Sequence, residues 1–115
     1  MPVKNTIKAI ALASFDTNSS DGTYKLVNTG GTTQACFWLR LVNNSNKDIT
    51  VSYDGTNDHD FVPAGKEFNL MGQTNAQPSN FVANIPLGFK VYIKNVQGTG
   101  LFYLSGYYQP IGGQI

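Results

Sequence analysis

Four residues within seven positions could do chemistry: Asp54, Asp58, His59 and Asp60, with Ser52 just ahead of them. Oxygen ligands at alternating positions can hold Ca²⁺. Asp58 and Asp60 have that spacing, and Asp54 could add a third carboxylate. The bidentate Glu that closes a helix-loop-helix calcium loop is missing, and so is its Asp-x-Asp-x-Asp-Gly order. The expectation is a turn whose Asp and Asn side chains satisfy loop amides, with no metal and no cofactor. His59 is the only histidine, and one His without a Cys partner cannot build a structural zinc site. As a general base it would need a nucleophile and an orienting acid. Ser52 and Asp60 are the nearest candidates, but no nucleophile elbow or oxyanion loop accompanies them. Glu67 is the only Glu, and the six Asp lie in or beside turns, a poor inventory for paired-carboxylate hydrolysis. No catalytic residue is expected, and the chain does not read as an enzyme.

These residues sit in the stretch Asn43 to Leu70, which reads as strand, polar turn, strand, Pro-Gly turn, strand. Asp54-Gly55 follows the alternating run Ile49, Val51, Tyr53, where glycine tolerates positive φ and Asp bonds its own backbone. Pro63-Ala64-Gly65 makes the next bend. Around this stretch the spacing predicts strands over 7–15, 23–28, 34–42, 81–85, 89–96 and 101–108. Polar loops separate them at 16–22, 28–33 and 71–80, and Gln97-Gly98-Thr99-Gly100 reads as a hairpin turn. The Gly-rich loop at 28–33 lacks the Lys-Ser/Thr pair and helix of a phosphate cradle. Gly106, inside a strand, predicts a bulge or a close backbone approach.

Seven or eight strands with Gly, Pro and Asn turns predict an all-β fold: an antiparallel β-sandwich, jelly-roll-like, in a single domain over 1–115. Residues 1–15 read as an N-terminal arm or an edge strand, and 109–115 as a loose tail. Composition narrows the partners. Of 115 residues, 41% are hydrophobic and only 13% charged, with a net charge of +1. The scattered basic residues argue against nucleic acid or an anionic membrane as partner. Lys8 interrupts the faint leader-like run at 4–13, so synthesis in a cytoplasm is expected. Cys36 is the only cysteine and reads as a small buried hydrophobe.

The strand at 34–42 is apolar on both faces, with Cys36, Trp38, Arg40 and Val42 on the second. Either this chain or another subunit must cover that face. Trp38 and Arg40 are residue types enriched at protein contacts. Trp38, Tyr92, Tyr103, Tyr107 and Tyr108 offer a second possibility, a sugar-stacking platform.

The segments FWLRLVNNSNKDITVSYDGTNDHDFVPAGKEFNL and KVYIKNVQGTGLFYLSGYYQ carry a resemblance. Val51-Ser52-Tyr53-Asp54-Gly55, Asp58-His59, Val62-Pro63-Ala64-Gly65, Gly98-Thr99-Gly100 and Tyr107-Tyr108 follow in order. Over residues 37–109 the pattern resembles small β-sandwich virion proteins of tailed bacteriophages, which serve in capsid decoration (cement), neck and tail positions. The resemblance implies multiple copies on a particle, a homo-oligomer, and no catalysis. Its partners would be the major capsid protein or neck and tail proteins, and its place the virion, after synthesis in the host cytoplasm. Phe37, Trp38 and Arg40, with Tyr103, Tyr107 and Tyr108, would supply the contacts. A carbohydrate-binding module is the competing expectation.

Overall fold

The computed structural model describes residues 7–71 and 85–108, which form nine strands and one short 3-10 turn. The strands are β1 (Lys8–Ala9), β2 (Ala13–Asp16), β3 (Lys25–Leu26), β4 (Trp38–Ser45), β5 (Ile49–Ser52), β6 (Asp60–Val62), β7 (Glu67–Met71), β8 (Tyr92–Lys94) and β9 (Gly100–Tyr108). The expected loop at 72–80, most of the strand at 81–85 and the tail at 109–115 lie outside the described residues.

One sheet, sheet A, runs β1/β2–β9–β4–β7, and the other, sheet B, runs β3–β8–β5–β6. Every named pairing is antiparallel. Among the described strands the chain changes sheet at each successive step from β2 to β9 except at the β5–β6 hairpin. A five-stranded and a four-stranded layer with this winding make a jelly-roll-like sandwich. The alternation in the sequence accounts for the layers. Leu39, Leu41 and Asn43 of β4 and Phe102, Leu104 and Gly106 of β9 point inward and are buried. Val51 and Ile93 meet them from sheet B. Each fully buried Leu, Ile, Val or Phe contributes about 1.5–3 kcal/mol of transfer free energy.

Two expectations change. The run at 7–15 is two short strands, because the pairing with β9 slips by one residue over 10–12, while Ile10 keeps one bond, its N–H donating to the Gly106 carbonyl at 3.0 Å. Gly106 faces Leu39 of β4 in a regular ladder, while on its other side three residues, 10–12, oppose two, 105 and 106, a bulge of the kind the glycine predicts. A Cβ there would sit 2.7 Å from Ile10 Cδ1 and 2.9 Å from Leu39 Cδ2, so the glycine makes room for Ile10. The Gln97–Gly100 turn is not a hairpin, since it joins β8 of sheet B to β9 of sheet A. At Gly100, φ is +113°, and a Cβ would fall 2.2 Å from the Asn44 carbonyl oxygen. Turn residues signal a reversal, but which neighbour a strand finds afterwards depends on the distant chain.

The strand at 34–42 also departs from its expected parity. It begins at Trp38, after a bend at Phe37. Cys36, on the other side of that bend, is buried in the core and bridges Ile85, as the small-hydrophobe reading expects. Burial pushes its thiol pKa up. From Trp38 onward the alternation is clean, and Trp38, Arg40 and Val42 stay half-buried on the outer face.

The two sheets are pinned by a polar residue. Asn43, fully buried, donates its amide to the carbonyls of Val62 (2.9 Å) and Lys47 (2.8 Å). Its Oδ1 accepts from the Ser45 N–H and hydroxyl. A β4 residue thus bonds directly to β6 of the opposite sheet. Asn28, buried beside β3, extends the pairing of β3 with β8 within sheet B, bonding both the carbonyl of Phe89 and the N–H of Val91.

Candidate functional site

The acidic loop between β5 and β6 is occupied with itself. Asp54 accepts from the N–H groups of Thr56 (2.8 Å) and Asn57 (2.9 Å), the Asn57 amide (2.9 Å) and the Ser52 hydroxyl (2.9 Å). The Asn57 and Thr56 bonds hold its carboxyl pKa well below the usual range. Asp58 accepts from the Tyr24 hydroxyl and pairs with Lys94 at 2.9 Å, and both partners depress its pKa. Asp60 accepts from the Tyr53 hydroxyl. Burial and that bond raise the Tyr53 pKa. The three carboxylates named as calcium candidates, Asp54, Asp58 and Asp60, therefore turn to three different partners. Among the described residues no three of His, Cys, Asp and Glu gather as a metal site needs.

The Ser52–His59–Asp60 grouping is not assembled. Ser52 is buried, donating to Asp54 and accepting from the Asp54 and Gly55 amides. His59 accepts the Tyr53 N–H on Nδ1 at 3.0 Å and stacks on the Tyr53 ring at 5.4 Å between centroids. The nucleophile–base hydrogen bond that hydrolysis would require is not made.

The outer face of sheet A brings other candidates together. Cross-strand register places Tyr107, Trp38 and Met71 in one row, Ser105, Arg40 and Asn69 in the next, and Tyr103, Val42 and Glu67 in a third. Trp38 and Tyr107 pack at 5.1 Å between ring centroids, tilted by 47°. The Trp38 indole donates to Asn69 Oδ1 at 2.9 Å. Arg40 grips Glu67 through Nε (3.2 Å) and Nη2 (2.6 Å), which raises the Arg pKa and lowers the Glu. Both side chains remain over 40% exposed, so the pair contributes little to folding. Met71 is 59% exposed at the end of its row.

Not every expected contact residue lies here. Tyr108 falls on the inner side of β9 and packs against the core. Phe37 precedes the strand, half-buried, with its N–H on the Tyr107 carbonyl. Tyr92 belongs to sheet B, so the five aromatics read as one sugar platform do not form one. Glu67, Asn69 and Met71 complete the face and were missed. Their alternation with the inward Phe68 and Leu70 was the available signal.

No family model matches the chain, and no curated protein does either. A solved structure of the capsular polysaccharide assembling protein CapF from Staphylococcus aureus aligns at 14% identity and a TM-score of 0.28, covering 96% of this chain and 26% of that one. The chain spans about a quarter of that protein's length. A likeness this slight carries no argument.

Proposed function

We propose that this chain is a bacteriophage virion structural protein, a capsid decoration or cement subunit that stabilises the particle through protein contacts. The observation that carries the reading is the outer face of sheet A: the half-buried Trp38 and Tyr107 in one row with the exposed Met71, beside the Arg40–Glu67 pair. Trp, Tyr and Arg dominate the energetics of protein contacts. The motif order over residues 37–109 supports the same reading. The jelly roll agrees with it, being shared by capsid and lectin domains, but a fold alone names no function.

The test is cosedimentation with phage heads that lack the protein. Saturable binding at a fixed number of copies per head is expected. Trp38→Ala should weaken it at least tenfold, about 1.4 kcal/mol or more. Pelleting with tails but not heads would move the subunit to a neck or tail position. Binding to neither would sink the proposal.

A further inference from the structure

The end of the sandwich formed by the β5–β6 loop and the turn at 86–90 holds a concave site of about 330 Å³. Its walls are aromatic: Tyr53, Phe89 and Tyr92, with Leu87 on the lip. Asp54 and Lys90 supply the polar groups at the rim. The lining is about half polar and the basin is wide open, a setting for a small polar molecule rather than an apolar one.

The walls are built before any ligand arrives. Tyr53 is held between the His59 ring at 5.4 Å and the Phe89 ring at 5.2 Å. Tyr92 lies across Gly55, where a Cβ would come within 3.1 Å of the ring. The 86–90 turn is locked to Thr32. The Gly88 N–H donates to the Thr32 carbonyl, the Thr32 hydroxyl donates to the Pro86 carbonyl, and the Thr32 N–H donates to that of Phe89. Asp54 Oδ2 receives one hydrogen bond, from Asn57 Nδ2, and has His59 Nε2 at 3.8 Å, so the orientation of the carboxylate is fixed. Leu87, 67% exposed, stands out from this rigid turn beside the opening.

We infer that this pocket binds a sugar ring. A pyranose has an apolar C–H face and a hydroxyl edge. Aromatic walls suit the face, and an acceptor (Asp54) with a donor (Lys90) suits the edge. The rim carries one charge of each sign, which favours a neutral saccharide over an acidic one. A polyproline segment also docks on aromatic surfaces, but it needs an extended groove advancing about 3 Å per residue. This is a single basin lined by eight residues. The site does not depend on the virion reading, and Trp38 lies outside it.

Saturation-transfer NMR tests the inference, using the wild-type chain against glucose, galactose, N-acetylglucosamine, their β-linked disaccharides, and a hexaproline peptide. At least one saccharide is expected to show transfer from its ring protons, with a dissociation constant in the millimolar range or tighter. Tyr92→Ala should abolish the signal and Lys90→Ala should weaken it severalfold, with Trp38→Ala unchanged. Thermal melts confirm that each variant is folded, and Lys90→Ala, an exposed change outside any strand, keeps the test alive if Tyr92→Ala unfolds. No transfer to any saccharide, transfer to hexaproline alone, or a signal that survives Lys90→Ala and disappears with Trp38→Ala would each overturn the site. Failure of the wild-type chain to bind heads or tails, with sugar binding intact, would count against the virion role alone.

Discussion

Two regions of this molecule concentrate aromatic residues, and they differ in shape. The outer face of sheet A is a flat array built on the backs of β9, β4 and β7, with Trp38 and Tyr107 tilted against each other. The 53–60 loop end is concave, with Tyr53, Phe89 and Tyr92 around a basin. The residue types overlap, but curvature separates their uses. A flat aromatic array can desolvate only against another extended surface, whereas a basin can desolvate a single ring. The polar groups follow suit. Arg40 and Glu67 hold each other in the open, while Asp54 is anchored by its own loop.

The comparison is broken most severely at the residue that holds both regions to one frame. Asn43→Leu keeps the branched outline, with added bulk, but strands the Val62 and Lys47 carbonyls and the Ser45 N–H inside. A loss of about 2–4 kcal/mol is expected from urea unfolding. Trp38→Ala sharpens the contrast. It should cost only about 1 kcal/mol of fold stability in the same measurement, mostly the aromatic pair, while head binding falls far more. The smallest effect lies at the loop. Asp54 and Asp58 have depressed pKa values in the folded chain, so they contribute stability above the ordinary Asp value of 3.8 that drains away as pH falls below it. Urea unfolding from about pH 6 to about pH 2 should show a shallower acid loss for Asp54→Asn than for wild type.

Much of this architecture is legible in the residues. The alternation of Phe102 and Leu104 against Tyr103 and Tyr107 places the two sides of β9, and Asp54-Gly55 and Pro63-Ala64-Gly65 mark real reversals, with φ of +76° at Gly55 and +75° at Gly65. What the residues could not reveal is long-range. The Gln97–Gly100 turn looks like a hairpin because it reverses the chain, and only the pairing of β9 with β4 reveals the change of sheet. Cys36 and Trp38 share a period-two parity that the bend at Phe37 cancels. Asn43 reads as a turn residue by type, yet it is buried, because four partners distant from or beside it complete its hydrogen bonds. Asp54 was legible as a turn builder, whereas Asp58 and Asp60 turn to the side chains of Tyr24, Lys94 and Tyr53. The basin beside them was not, since Phe89 and Tyr92 reach it from more than thirty positions away.

The slip in pairing at 10–12 has a bearing on crowding. It divides one margin of sheet A into pieces of two and four residues, and the margins of sheet B, β3 and β6, have only two and three. Fibril growth recruits a long, straight row of unpaired amides, and short interrupted rows make poor templates. Among the described strands that leaves β7, five residues long on the other margin of sheet A, as the place where zipping onto a neighbour at high local density would have to begin.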